Sequence, residues 1–437
     1  MEAADVSVRI AVIDYRLTTT SKMTPPIYSL PLELINAIID KIYNDSDTTT
    51  ARRTLNSCGL VSRIFVDRTR EHLFREITIR SNIECKEFLA FSAHIHSSTT
   101  SLTILFKLHR GRKHTLATSW GLPSLFHVLH NVNTITLSGM EWKFLHPAFV
   151  NSLTSRSFLS ITLMHTHFPD SQAFYSFLSY SPNLRRFSCL MTTIDSSDRP
   201  PFSANFNASC RPHITDMSFR KMRQIPEMVL SPTLSPLNLD RLRVLDVFVH
   251  EDLQFDPARR FMDLTTQSLE VLRVSQFRSP PTRIKYSLSQ GSPCGNDIST
   301  GRSEYLPIQR LRSITIEMDD YHRRGPIILP IELSIFNWWI GHFESYPTMH
   351  CCCVHLLVRI FSYEVEASAD YTAWKKLDIA LSRTSIRSLV VDLFISKAVR
   401  IVPSEPPPIK LVVEGNLPIL IGRKIARVQV GAYNIGM

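Results

Sequence analysis

Three stretches of the 437-residue chain, NVNTITL, FLSITL and NLRRFSC, place apolar residues in one pattern: apolar, two variable, apolar, variable, apolar. The pattern falls on Val132, Ile135 and Leu137, then on Phe158, Ile161 and Leu163, then on Leu184, Phe187 and Cys189, at equal steps of 26 residues. Alternation of this kind marks a strand with one buried face. Parallel strands need a crossover of about a dozen residues or more, so each step has room for a strand and a returning helix. Further copies read ITDMSF from Ile214, LRVLDV from Leu242, LEVLRV from Leu269 and LRSITI from Leu311, at steps of 30, 28, 27 and 42. SLTIL from Leu102 and IRSLVV from Ile386 flank them. Helix-like segments lie between several copies, among them HPAFVNSLTS, DSQAFYSFLSY and AWKKLDIALSR.

These features predict an α/β fold in which parallel strands stack on an inner face and helices cover the outer one, a solenoid whose units each touch only their neighbours. Only three units keep an equal step, so an α/β domain with coincidental spacing remains a second reading. Residues 278–307 are rich in proline, glycine and serine and read as a surface insertion, either a functional loop or a plain solvated excursion.

Ahead of the array the sequence is helical. LPLELINAIIDKIYN opens with Pro31, which suits a first helical position, and Glu33, which suits the positive end of the helix dipole. Leu34, Ile35, Ile38, Ile39 and Ile42 then form a stripe as wide as a core-facing helix shows. After the polar link NDSDTTT, residues Leu55, Cys58, Val61 and Phe65 recur near helical spacing, Leu60 and Ile64 widen the face, and Leu73 and Phe74 close it. Ile77 and Ile79 then switch to a period of two. About fifty residues of helix cannot bury all this apolar surface internally, so other residues of the chain or another protein must cover it.

Leu30-Pro31-x-Glu33-Leu34, Ile38-Ile39, Leu60-Val61-Ser62-Arg63-x-Phe65 and Leu73-Phe74-Arg75-Glu76-Ile77 together resemble an F-box, over residues 29–79. The resemblance implies docking to a Skp-type adaptor and through it to a cullin scaffold, with Leu30, Pro31, Leu34, Ile38, Val61, Phe65, Leu73 and Phe74 as adaptor-facing residues. The chain departs from the family in a long link between its first two helices and in having Phe65 and Phe74 where many members carry tryptophan. The repeat units resemble a degenerate leucine-rich repeat array, although the Asn or Cys that the family places after the strand is mostly absent, as in His165 to Phe168. The implied organisation is a flexible segment over 1–26, an F-box-like helical module over 27–80 and a leucine-rich-repeat-like substrate-binding domain over 81–437. The function it implies is that of a non-catalytic substrate-recognition subunit of a ubiquitin ligase. A repeat-based binding scaffold with no ubiquitin link is the alternative, its first helices serving as a cap.

Charge and composition restrict the partners. Net charge is +10, yet residues 1–80 hold 11 Lys/Arg and 10 Asp/Glu, which puts nine of the ten surplus charges beyond residue 80. No run of five or six like charges occurs and aromatics do not interleave with the basic residues, which argues against nucleic acid. Arg185, Arg186, Arg243, Arg273 and Arg312 recur at similar places in the strand units. They fit an acidic or phosphorylated protein substrate, or a solvated basic strand surface.

No apolar run reaches the roughly 18 residues needed to span a bilayer, and the first residues lack the pattern of a signal peptide. Eight irregularly spaced cysteines suit reduced thiols and a cytoplasmic or nuclear setting. Neither phosphate-cradling glycine motifs nor a G-x-S-x-G or H-E-x-x-H motif occurs, so no catalytic residue and no cofactor is expected. HCCCVH at 350–355 is the one tempting metal signal. As a strand it would put Cys351, Cys353 and His355 on one face, but three ligands in line do not converge on a tetrahedral ion. Reduced core cysteines are the expectation, with no metal.

Overall fold

The computed structural model describes residues 30–45, 48–91, 93–106, 121–195, 211–220, 225–230, 235–249, 255–276, 305–320, 333–351, 353–360, 372–396 and 409–433. The expected flexible segment 1–26 and most of the expected insertion 278–307 lie outside them. The chain divides into two compact units, Met1–Leu73 and Phe74–Met437.

The first unit holds three helices, α1 (Leu32–Asp45), α2 (Thr48–Val61) and α3 (Arg63–Phe74). The Pro31 carbonyl accepts from the amides of Leu34 and Ile35 at 3.0 and 3.2 Å, so α1 starts where proline's missing N–H costs nothing. The link that looks long in sequence is short in the fold, because α2 already begins at Thr48: three consecutive threonines join the helix. Ile35, Ile39, Leu55 and Phe65 form the core, with Ile42, Ile64 and Leu73 packed around it. Across it, Asp40 of α1 takes two bonds from Arg68 of α3, Nε at 2.6 Å and Nη2 at 2.8 Å, and a third contact from His72 at 2.7 Å. The bonded guanidinium holds the Asp40 carboxyl at about 2. Tyr43 stacks on His72 at 4.4 Å and completes the clamp.

In the second unit the strands are β1 (Glu76–Ile79), β2 (Ser101–Leu105), β3 (Thr134–Ser138), β4 (Ser160–Met164), β5 (His167–Phe168), β6 (Arg186–Leu190), β7 (Thr193–Ile194), β8 (Asp216–Arg220), β9 (Val244–Val249), β10 (Val271–Gln276), β11 (Ser313–Asp320), β12 (Cys353–Ile360), β13 (Ser388–Ser396) and β14 (Ala426–Tyr433). Its helices are α4 (Asn82–Leu89), α5 (Ala93–Ser98), α6 (Gly121–Val128), α7 (Pro147–Thr154), α8 (Ser171–Ser179), α9 (Ile225–Leu230), α10 (Phe255–Leu264), α11 (Leu333–Ser345), α12 (Thr372–Ser382), α13 (Ile409–Gly415) and α14 (Pro418–Gly422). Twelve strands form one sheet in the order β1-β2-β3-β4-β6-β8-β9-β10-β11-β12-β13-β14. Every pairing is parallel, an arrangement compatible with a solenoid. The strand at 76–79, read with the helical module in sequence, hydrogen-bonds to β2 and belongs to this sheet.

Register explains the burial. Leu102, Ile135, Ile161, Phe187, Met217 and Leu245 are consecutive partners along one row and are all buried. Each side chain of this size contributes about 2 kcal/mol when buried. Residues one step away in each strand, such as Thr103, Thr136 and Thr162, face the open side and are half-buried. From Phe187 of that row, a series of rings runs through Phe174, Phe168 and Trp142 on one side and Phe219 and Phe261 on the other, with neighbouring centroids 4.9 to 6.4 Å apart.

The three equally spaced units share a turn. Gly139, His165 and Met191 follow β3, β4 and β6 with φ of 69°, 50° and 49°, a left-handed geometry that disfavours residues with a Cβ. Each amide bonds the next strand's carbonyl: Gly139 to Met164 at 2.8 Å, His165 to Leu190 at 2.8 Å and Met191 to Arg220 at 3.0 Å. The next residues, Met140, Thr166 and Thr192, are buried. Thr166 and Thr192 donate their hydroxyls to the carbonyls of Leu137 and Leu163, at 3.3 and 3.4 Å, one unit back.

Two buried polar groups tie the later units. Asp378 of α12 is 2 % exposed and accepts from the amides of Ile419 and Leu420, both at 2.9 Å, capping α14. His342 of α11 is fully buried; its Nε2 accepts from the Leu306 amide at 2.9 Å and its Nδ1 donates to the Trp338 carbonyl at 2.8 Å. Burial pushes its pKa down from 6.5 to about 4. Asp378→Ala is expected to cost about 2 kcal/mol, read as a lowered denaturant midpoint, because the buried Leu420 amide and the part-buried Ile419 amide lose their acceptor. His342 gives a pH dependence of opposite origin to a salt bridge. Unfolded chains bind its proton below about 6.5 while the folded state resists until about 4, so stability falls as pH drops through that window. The loss approaches about 3 kcal/mol at pH 4, and a His342→Gln variant is expected to flatten it.

Candidate functional site

The α1 stripe that looked continuous in sequence is split by the fold. Ile35 and Ile39 are 0 % and 1 % exposed, inside the helical core, whereas Leu34 and Ile38, one position away on the helix, are 53 % and 50 % exposed. Leu30 and Pro31 are exposed too, and the carboxyl end of α2 leaves Leu60 71 % and Val61 76 % exposed. All of these are apolar side chains left exposed on the helical unit. Leu32, 53 % exposed, and Leu60 belong to this set, although neither was nominated from sequence; both lie inside the quoted motif segments.

Three of the expected adaptor-facing residues lie elsewhere. Phe65 is 9 % exposed and packs inward with Ile35, Ile39 and Leu55. Leu73 is half-buried against the same core. Phe74 packs against the core of the sheet unit, its ring 5.7 Å from that of Phe91. A ring in a helix of this kind is drawn to whichever core has room for it, and spacing along the chain does not tell which.

On the sheet, the five expected arginines are all exposed and separate into two groups. Arg243 grips Glu270 with two bonds, Nε at 3.2 Å and Nη2 at 2.9 Å, and Arg312 lies 3.6 Å from the same carboxylate. Arg185, Arg186 and Arg273 have no ion pair among the described residues. Register places Arg273 on the open face of β10 beside Asp246 of β9, whose carboxylate is taken by Arg220 at 2.9 Å. Arg387 precedes β13 as Arg243 and Arg312 precede their strands, and sequence reasoning missed it. The signal was present as an apolar residue followed by arginine just before the strand: Leu184-Arg185, Leu242-Arg243, Leu311-Arg312 and Ile386-Arg387.

The HCCCVH segment does not put three ligands in line. β12 begins at Cys353; Cys353 and His355 face the open side, while Cys351 precedes the strand, is fully buried and donates to the Cys353 carbonyl at 3.1 Å. Among the described residues no group of three or more His, Cys, Asp or Glu side chains could hold a metal ion. His355 pairs with Asp392 at 2.8 Å, and His167 bonds Thr193 at 2.8 Å and Asp195 at 3.1 Å. The five described cysteines are free thiols; burial pushes Cys85 up to about 11 and Cys189 higher than usual, which leaves both as protonated core residues. No helix among the described residues is long and apolar enough to cross a membrane. No protein-family model matches the chain, and no curated protein matches it in sequence.

The burial contrast on the helical unit is directly measurable. Phe65→Ala is expected to lower stability by about 3 kcal/mol through a cavity, whereas Val61→Ala stays within about 0.5 kcal/mol, both read by denaturant melts.

Proposed function

We propose that the chain is a non-catalytic substrate-recognition adaptor of a Skp-cullin-F-box ubiquitin ligase, its first three helices an F-box-like module and its sheet unit a degenerate leucine-rich-repeat-like array. The observation that carries this reading is the exposure of Leu34, Ile38, Leu60 and Val61 on a unit whose own core is already filled by Ile35, Ile39, Leu55 and Phe65. Leu34, Ile38 and Val61 occupy motif positions that the resemblance assigns to adaptor docking, and Leu60 stands next to Val61 in the same motif segment. Support for the array comes from strands stacked in chain order and from Thr166 and Thr192, whose buried hydroxyls serve backbone carbonyls where the family uses Asn or Cys.

On this reading the chemistry is proximity. The helices bind a Skp-type adaptor and through it a cullin scaffold, while the sheet holds a protein substrate. Tethering raises the effective concentration of a substrate lysine at the transfer centre and orients it, so the rate gain comes from positioning. Such a protein works in the cytosol or nucleus.

Full-length protein is expected to capture a purified Skp-type adaptor. Val61→Asp places a charge in the dry contact and should abolish capture, while the melting temperature stays unchanged because the site is exposed in the free protein. Normal capture by this variant would reject the docking face. Absence of capture by the unaltered chain would favour a binding scaffold with no ubiquitin link.

A further inference from the structure

Sequence alone shows no basic patch, but the parallel fold collects one. Residues 180–185, 211–215, 235–243, 265–270, 305–312, 346–351, 383–387 and 423–425 lead into β6 and β8 to β14, and parallel pairing brings them all to the same edge of the sheet. They contain ten Lys/Arg against two carboxylates, Asp240 and Glu270. Nine of the ten are arginine, the side chain whose planar fork suits carboxylates in pairs of bonds.

Four of these arginines stand at one structural position. Arg185, Arg243, Arg312 and Arg387 each immediately precede the residue that opens the register of β6, β9, β11 and β13. In sheet order those are alternate strands, β6-(β8)-β9-(β10)-β11-(β12)-β13. With strands about 4.8 Å apart, the arginines form an in-register file with a step of about 10 Å. All four are exposed. Glu270, between Arg243 and Arg312, holds both guanidinium groups at the edge. Exposed pairs of this kind contribute little, so a competing carboxylate can replace Glu270.

We infer that this arginine file docks an extended acidic segment of a partner protein, laid across the amino-terminal ends of the strands. Two features favour a protein over a nucleic acid. Glu270 sits within the file and Asp216, which opens β8, acts on Arg243 from beside it, where a uniform phosphate chain would face both carboxylates and a segment of mixed charge need not. Stacking platforms are also few: of the three tyrosines in these segments only Tyr180 is exposed, and Tyr305 already packs on His342 at 4.8 Å. The inference rests on the proposed function only in taking the sheet as the part that holds a protein.

The test titrates full-length protein with a fluorescein-labelled peptide of alternating Glu and Ser, with its Gln counterpart, and with a single-stranded oligonucleotide of equal charge, at low and moderate salt. The Glu peptide is expected to bind best, with affinity falling as salt rises. Arg185→Glu combined with Arg387→Glu should weaken it about tenfold or more, whereas Lys375→Glu combined with Lys376→Glu, on exposed positions of α12, should leave it unchanged. Thermal melts check that both variants stay folded. Tighter binding of the oligonucleotide, equal loss in both variants, or no binding of the Glu peptide would overturn the inference. Adaptor capture is scored separately: its failure with the unaltered chain counts against the ligase role and not against the arginine file.

Discussion

The sheet unit depends on in-register parallel hydrogen bonding between consecutive strands. Side chains alternate with a period of two, so a slip of one residue at any pairing would carry that strand's whole apolar set to the open side. Leu102, Ile135, Ile161, Phe187, Met217 and Leu245 are buried together because each pairs with the residue before and after it in the row. The same ladder fixes what the other face presents and which residues meet at the strand ends. The left-handed turns at Gly139, His165 and Met191 are tolerated because their amides reach the carbonyls of the next strand.

In the helical unit the limiting quantity is core volume. Three short helices close over Ile35, Ile39, Leu55 and Phe65, and the Asp40–Arg68–His72 clamp fixes α1 against α3 beside them. An apolar stripe five residues wide exceeds what such a core can take in, so part of it stays outside. Leu34 and Ile38 are therefore exposed for a geometric reason, while Phe65 fills the core.

Much of the fold was readable. The strand pattern at Val132, Phe158 and Leu184 located β3, β4 and β6, and the later copies located β8 to β11 and β13, because one-sided burial leaves a period-two trace in the residues themselves. The helix-like segments DSQAFYSFLSY and HPAFVNSLTS contained α8 and α7; in the fold Asp170 accepts the Ala173 amide at the start of α8, and Pro147 opens α7 where no N–H is needed. β14 went unread, since ARVQVGAY lies at a sheet end where half of its alternation is relaxed and Val430 is 44 % exposed. For HCCCVH the expected reduced core thiol is found at Cys351, but Cys351 does not share a strand face with Cys353 and His355 because the strand starts two residues later, and alternation cannot be projected past a strand's end.

Period and composition thus determined by themselves that this chain would make parallel strands with returning helices behind a short helical segment, since local alternation and turn chemistry are encoded residue by residue. The sequence also carried the apolar-arginine pairs without revealing their purpose. Which residues of the α1 stripe face water, whether Phe74 joins the sheet's core, and that arginines dozens of residues apart stand in one file were decided only by tertiary structure. Those outcomes depend on packing volume and on strand register, and both are set by contacts between distant parts of the chain that no local pattern records.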